Sequence, residues 1–197
     1  MKVNKNAIAS ANTINNLMSI ARAHFSNYGY EKTSLEAISS EANMTRGSVY
    51  HHFKSKKALF LAVLVEVQEE VGMHVESEAM SSDDEWEQLI RGCIGFVEAA
   101  TKESNRRIFL IDAINVTDWE TWRDLDIKNS AALLAEHLQV LMASGVLVSL
   151  EPNLIAHLVS GALNELSLHL AQSKDILTED IRPSIEYLLK GFKRDGN

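Results

Sequence analysis

Apolar residues recur along this chain at spacings of three and four, which is the period of amphipathic α-helices. The first such stripe starts near Thr13 and ends at the sequence Tyr28-Gly29-Tyr30. Its apolar positions are Ile14, Leu17, Met18, Ala21 and Phe25. Residues 1–11 are polar, and we expect them to be poorly ordered.

Two short helices are predicted next. Thr33 and Glu36, three residues apart, form the pattern of a capping box at the start of the first helix. Asn43 interrupts the pattern, because its short polar side chain tolerates the left-handed backbone of a tight turn. Thr45 is expected to cap the second helix, with Val49 on its inward side. The outward side carries Arg46, Ser48, Tyr50 and His51. This arrangement is typical of a helix-turn-helix, whose second helix fits the DNA major groove.

Longer apolar stripes predict the remaining helices. Ser55 is placed to cap a helix that runs to about Ala79. Capping boxes at Ser82 and Thr117 begin two further helices, the second of which runs to about Ala143. Three more are predicted over residues 105–115, from Pro152 to about Gln172, and from near Ile181 onward. Gly145 is positioned as a helix C-cap. The predicted fold is all-α, with about nine helices and no strand.

Composition agrees with long helices and a reducing compartment. Hydrophobic residues make up 46% of the 197 residues, with nine glycines and two prolines. The single cysteine, Cys93, excludes a disulfide within the chain and suits a reducing cytosol. The N-terminus lacks the apolar core of a signal peptide, and the longest apolar run, residues 59–65, is too short to span a bilayer. We therefore expect a cytoplasmic protein.

Charge is distributed unevenly along the chain. Residues 1–57 hold eight Lys or Arg and three acidic residues, a net charge of +5. The remainder holds eleven and twenty-four, a net charge of −13, and the whole chain carries −8. A basic end on an acidic chain is typical of a module that binds phosphates, which favours the helix-turn-helix over an ordinary helical hairpin.

Residues 17–64 resemble the TetR family of bacterial one-component transcriptional regulators. The matching residues are Ala21, Phe25, Gly29-Tyr30, Thr33-Ser34, Ala42, Gly47, Tyr50, His52-Phe53, Ser55-Lys56 and Leu59-Phe60. Asn43 stands where the family usually has glycine, and Lys57 stands where an acidic residue is common. Beyond this quarter of the chain the family shares its architecture rather than motifs.

The resemblance implies a homodimeric, ligand-responsive DNA-binding regulator, most simply a repressor of transcription. It divides the chain into a three-helix DNA-binding domain, residues 1–54, and a helical ligand-binding and dimerisation domain, residues 55–197. The partners expected are a double-stranded DNA operator, a small-molecule effector and a second copy of the chain. Dimerisation is expected through residues 152–172 and 181–193, whose combined apolar stripe exceeds what one face toward a core needs.

The expected DNA contacts fall into two groups, because phosphate contacts position a protein and base contacts specify the sequence. Arg46, Tyr50 and His51 are expected to face the major groove, with Ser48 and Thr45 beside them. The residues expected to hold phosphates are Thr33, Ser34, Lys54 and Lys56.

The effector site is predicted less directly. Eight polar or amphipathic residues lie within otherwise apolar helices and together fit a mainly apolar pocket with a few polar anchors. These are Asp112, Asn115, Trp119, Trp122, Arg123, Asn164, Glu165 and His169. The resemblance implies such a pocket between the middle helices.

Other classes of function fit the sequence less well. The Glu-x-x-His and His-Glu-x-x-His motifs are missing, so we expect no metal and no cofactor. No sequence feature brings a nucleophile and a base together, so we expect no enzyme. A helical protein-interaction adaptor without ligand control is the alternative, and it leaves the basic helix-turn-helix without a purpose.

Overall fold

The computed structural model describes residues 5–117, 131–173 and 181–194, with side chains from residue 12 onward. Within these ranges the fold is all-α with nine helices, as the sequence predicts. In chain order they are α1 Lys5–Lys32, α2 Leu35–Glu41, α3 Arg46–Phe53, α4 Lys56–Ala79, α5 Glu85–Thr101, α6 over residues 103–116, α7 Ala132–Ala143, α8 Pro152–Gln172 and α9 Ile181–Lys190. An isolated antiparallel bridge joins Leu147 to Lys193.

Several predicted helix starts are confirmed. Thr45 caps α3, and its hydroxyl accepts a hydrogen bond from the backbone N–H of Ser48 at 3.2 Å. Ser55 caps α4 in the same way, with Ala58 as donor at 3.0 Å. Pro152 occupies the first position of α8, where its missing N–H leaves no gap in the helical hydrogen bonds. These starts follow from local chemistry alone.

Two predicted caps are wrong. Ser34, not Thr33, caps α2, since the Ser34 hydroxyl accepts from the N–H of Ala37 at 3.1 Å. Asp84, not Ser82, caps α5 and accepts from the N–H of Glu87 at 2.7 Å. In both places two residues able to cap stand close together, and only the path of the chain decides between them.

The first helix is longer than the sequence predicts. It begins at Lys5, within the stretch expected to be poorly ordered. Near its end Gly29 leaves helical geometry, with φ 82° and ψ 167°. An L side chain rarely adopts this conformation, so a glycine is required here. The break lets the chain turn toward α2.

The predicted helix over residues 105–115 is part of α6, and it contains an irregular turn. Residues Arg107–Asp112 form a π-helical segment between the α-helical pieces Glu103–Arg106 and Ala113–Val116. Of the helix predicted from Thr117 to about Ala143, the structure describes the last part, which is α7. Trp119, Trp122 and Arg123 lie outside the described residues.

The core is continuous through the described helices. Leu59 and Phe60, at the start of α4, are fully buried with Phe25 of α1. Further along α4, Val67 and Val71 are buried, and this half of the helix packs on α5. Helix α4 therefore packs against α1 at its start and against α5 farther along. The proposed domain boundary at residue 54 falls between α3 and α4.

Polar contacts tie α1 to α4 and α6. The guanidinium of Arg22 binds the carboxylate of Glu70, and it also donates to the side-chain oxygen of Asn105 at 2.7 Å. Burial raises the pKa of Glu70, but the hydrogen bonds from Arg22 and Lys102 lower it to about 2. The carboxylate of Asp112 accepts from the N–H of Tyr30 at 2.7 Å. Movement of α6 therefore acts directly on the end of α1.

Candidate nucleic-acid interface

Helix α3 is anchored to the core by one buried side chain. Val49 is fully buried on the inner side of α3. The same core contains an aromatic cluster, in which the rings of Phe25 and Phe60 meet edge to face with centroids 5.1 Å apart and Tyr30 lies 5.2 Å from Phe60. Edge-to-face pairs add to the stabilisation from buried area. The inner face of α3 packs against α2 and α4.

The turn between α2 and α3 has the geometry expected from Asn43. This residue has a left-handed backbone with φ 53°. Its N–H donates to the carbonyl of Ser40 at 3.1 Å, and the N–H of Met44 donates to Ser39 at 2.9 Å. The predicted helix-turn-helix is confirmed, with asparagine in place of the family's usual glycine.

The outer face of α3 presents Arg46, Tyr50 and His51 to solvent, with Ser48 half-buried beside them. The guanidinium of Arg46 contacts the carboxylate of Glu36 on α2 at 2.6 Å. It also donates to the hydroxyl of Tyr50 at 3.3 Å and lies 5.3 Å from the centre of the Tyr50 ring. The hydrogen bond to Tyr50, followed by the charge of Glu36, raises the pKa of Arg46. The outer face therefore carries a positioned cation.

Two of the predicted phosphate contacts, Ser34 and Lys54, and the cap of α3, Thr45, lie at the exposed edge of this face. Ser34 and Thr45 are exposed at the starts of α2 and α3. Lys54 is exposed just past the end of α3, with a left-handed backbone of φ 51°. Its N–H closes the helix by donating to the carbonyl of Tyr50 at 3.0 Å. Lys57, which is not among the predicted phosphate contacts, is also exposed, three residues after Lys54.

The other two predicted phosphate contacts point into the protein. Thr33 is 3% exposed, and its hydroxyl donates to the carbonyl of Gly29 at 2.8 Å. The ammonium of Lys56 donates to the carbonyls of Tyr30 at 2.8 Å and Thr33 at 3.1 Å. It lies 4.2 Å from the centre of the Tyr30 ring, a cation–π distance. Both side chains brace the link between α1 and α2, so we leave them out of the phosphate-binding set.

A cavity of about 220 Å³ lies among α4, α5, α7 and α8. Most of its walls are apolar. The lining side chains are Val75, Glu76, Ala79, Met80, Gln88, Leu89, Cys93, Phe96, Leu133, Leu134, His137, Ser160 and Leu163, and Gly92 completes the wall. Burial raises the pKa of the Cys93 thiol to about 12, so the thiol is uncharged at neutral pH. The cavity offers an apolar environment with a few polar groups.

The predicted effector residues are not brought together there. None of the five that the structure describes lines this cavity. Asp112 binds the backbone of Tyr30, and the side chain of Asn115 donates to the carbonyl of Ile111 at 2.8 Å. Asn164 lies beside the cavity, 3.5 Å from the hydroxyl of Ser160. The remaining two, Glu165 and His169, are exposed on α8.

Two other kinds of feature, a metal site and a membrane-spanning helix, are absent from the described ranges. Residues 5–117, 131–173 and 181–194 contain no cluster of three His, Cys, Asp or Glu side chains able to hold a metal ion. None of the helices in the part of the chain that the structure describes is long and apolar enough to cross a membrane.

Family models match both halves of the chain. Residues 17–63 match the model described as "Bacterial regulatory proteins, tetR family". Residues 86–192, more than half of the chain, match the model "Tetracyclin repressor-like, C-terminal domain". The two matches include the helix-turn-helix and, of the helices around the cavity, α7, α8 and all but the first residue of α5.

Individual relatives agree with the family models. A crystal structure of a TetR-family transcriptional regulator from Pectobacterium atrosepticum is 26% identical, with a TM-score of 0.81 over 98% of this chain and all of that one. The Tn10 TetC protein of Escherichia coli is 20% identical over 83% of each chain. An HTH-type transcriptional repressor of Mycobacterium tuberculosis, Rv1474c, is 35% identical over 60 residues, 30% of this chain and 32% of that protein.

Proposed function

Because the chain belongs to the TetR family of bacterial regulatory proteins, we propose that it reads an operator with α3 and releases it when a small molecule enters the cavity. The chain is a DNA-binding transcriptional repressor of a family that is typically ligand-responsive. The observation that supports the assignment of α3 is its outer face, where Arg46, Tyr50 and His51 are exposed while Val49 anchors the opposite side.

We assign base contacts to Arg46, Ser48, Tyr50 and His51. Arginine makes paired hydrogen bonds to guanine in the major groove, and a hydroxyl can donate or accept there. The phosphate contacts fall to Thr45, Ser34, Lys54 and Lys57, which lie at the edge of the same face. The start of α4 adds backbone N–H groups and the positive end of a helix dipole.

Binding to double-stranded DNA should fall steeply with salt, because each phosphate contact releases a counterion. The slope of log K against log salt should be about −0.9 for each phosphate neutralised. Lys54→Asn, which keeps a residue tolerant of a left-handed backbone, should reduce that slope by about one. Fluorescence anisotropy between about 50 and 200 mM salt measures it.

Lys102→Gln is the matched control, since Lys102 is an exposed lysine just past the end of α5, outside both the helix-turn-helix and the proposed dimer interface. It should leave the slope unchanged. Lack of binding to any double-stranded DNA at low salt would overturn the assignment of the helix-turn-helix.

TetR-family regulators act as dimers, and we propose residues 152–172 and 181–193 as the interface. Leu154, Leu158 and Leu188 are exposed in the protomer, on α8 and α9. A side chain added at Gly161 would meet no atom within 4 Å, so this part of α8 leaves room for a neighbouring helix. A symmetric four-helix contact would bury these surfaces.

We propose that the cavity holds the effector. Val75, Ala79 and Met80, on or next to the end of α4, contribute to its wall, and the same helix starts directly after α3. A ligand that shifts α4 therefore moves Tyr50 relative to the recognition helix of the other protomer. Two recognition helices must lie about 34–36 Å apart to enter successive major grooves, so a small tilt weakens both half-sites together.

Linkage gives this proposal a quantitative test. Any ligand that releases the operator must itself bind more weakly to the operator complex, by the same factor. A coupling of ~1–3 kcal/mol corresponds to a roughly 5- to 150-fold change in affinity. Calorimetric titration of a ligand with and without operator measures both affinities. Equal ligand affinity in the two titrations would leave a DNA-binding protein that this ligand does not control.

The alternative of a protein-interaction adaptor is not favoured by the family match. TetR-family regulators are in general DNA-binding proteins rather than enzymes, and we propose that this chain acts without catalysis. We also propose that it works in the cytoplasm, since bacterial chromosomal DNA lies there.

A further inference from the structure

We propose that Glu36 is a specificity-determining residue, which positions the guanidinium of Arg46 for base reading and whose negative charge lowers affinity for all DNA. The inference rests on the proposed DNA contacts of α3. It concerns a side chain on the neighbouring helix, α2, that those contacts do not include.

The first supporting observation is the geometry of the ion pair. One terminal nitrogen of Arg46 contacts the Glu36 carboxylate at 2.6 Å, and the other donates to the Tyr50 hydroxyl at 3.3 Å. Held from two sides, the guanidinium plane has a defined orientation above α3. An arginine side chain is long and flexible, so this orientation removes freedom that DNA binding would otherwise have to remove. Three of its five N–H donors stay available for a base.

The second observation is exposure. The side chains of Arg46 and Glu36 are 59% and 57% exposed. Ion pairs this exposed contribute little to folding stability. Replacement of Glu36 should therefore leave the fold intact and change mainly what happens at the surface that meets DNA.

The third observation is the sign of the charge. Glu36 is an acidic residue in the first turn of α2, on the side of the molecule that faces phosphates in the proposed complex. A carboxylate there opposes every DNA sequence equally, so the repulsion lowers affinity for random duplex and leaves the ratio of specific to random affinity unchanged. The ratio, which is a difference of binding free energies, therefore depends on the orientation that Glu36 gives to Arg46.

The experiment selects binding sites from a random double-stranded DNA library and then measures affinity for the selected site and for random duplex. Glu36→Ala should raise affinity for random duplex a few-fold and lower the ratio of specific to random affinity about tenfold. Glu36→Gln should raise random affinity similarly while retaining part of the ratio, because an amide oxygen still accepts from Arg46.

Glu41→Gln is the matched control for charge. Glu41 lies on the same helix with a side chain 59% exposed, but it pairs with His24 at 2.8 Å and not with Arg46. This variant should raise random affinity and keep the ratio. In an Arg46→Ala background, Glu36→Ala should no longer change the ratio, since its action passes through Arg46.

The outcomes distinguish failure of the proposed function from failure of the role proposed for Glu36. If the unmodified protein selects no sequence, the proposed function itself fails. If it selects a site and Glu36→Ala keeps the same ratio and base preference, the role of Glu36 alone is overturned. An equal loss of ratio in Glu41→Gln, or thermal unfolding of Glu36→Ala far below the unmodified protein, would also overturn it.

Discussion

Leu158→Glu is expected to convert the protein into a folded monomer that no longer binds its operator. Leu158 is 64% exposed on α8 in the protomer, so a glutamate there meets water and the fold survives. In a two-fold dimer the same surface of both copies meets near the axis. The substitution then places two carboxylates in a contact that excludes water, where unpaired charges are strongly unfavourable.

The effect on DNA should be large because a dimer binds two half-sites as one linked event. Linked binding raises affinity by roughly 10²- to 10⁴-fold over a single module, and the monomer loses that gain. Sedimentation velocity measures the association state, and anisotropy measures operator affinity.

Met73→Glu is the matched control for this substitution. Met73 is 65% exposed on α4, outside the proposed interface. This variant should stay dimeric with unchanged operator affinity. A Leu158→Glu protein that remains a dimer at micromolar concentration would place the interface elsewhere.

The second large effect is expected from Arg46→Ala. If the guanidinium pairs with a guanine, its loss should weaken binding to the selected operator about 10- to 100-fold. Binding to random duplex should change much less, because a base contact adds little where the base is wrong. Anisotropy on both duplexes at one salt concentration gives the comparison.

Lys54→Asn provides the contrast for Arg46→Ala. A phosphate contact supports every sequence alike, so this variant should weaken operator and random duplex by similar factors. Equal losses on both duplexes for Arg46→Ala would show that Arg46 contacts the backbone and that another residue reads the base.

The helix-turn-helix was predictable because its signals are local. A cap at Thr45, a turn residue at Asn43 and an inward Val49 each act over three or four positions, and the structure has all three. Thr33 was misassigned because Ser34, its neighbour, has the same capping chemistry. The choice between them depends on the turn at Gly29, which brings a carbonyl within reach of the Thr33 hydroxyl.

The role of Lys56 was not predictable from its position. A lysine in the first turn of a helix opposes the helix dipole, which favours a nearby anion such as a phosphate. The structure instead gives it two carbonyls, those of Tyr30 and Thr33, from a segment more than twenty residues earlier. Contacts of this range depend on the packing of α1 against α4, and the sequence pattern does not contain that information.

A pocket between the middle helices was expected, but the residues that line the cavity were not predicted, for a related reason. Cys93, Phe96 and Leu163 each have the pattern of ordinary core residues, and a void between them is a property of how the helices pack. The predicted effector residues share only their polar character within apolar helices, and this character does not show which of them face a common space. Of these, Asp112 lies at the contact with α1 rather than at the cavity.

Footprinting of the unmodified protein on fragments retained from the genomic DNA of its source decides whether it reads an operator. We expect protection of a two-fold symmetric site with half-sites about one helical turn apart, and we expect this protection to disappear as salt is raised. Protection of every fragment alike, or of none at low salt, would contradict a repressor that reads its operator with α3.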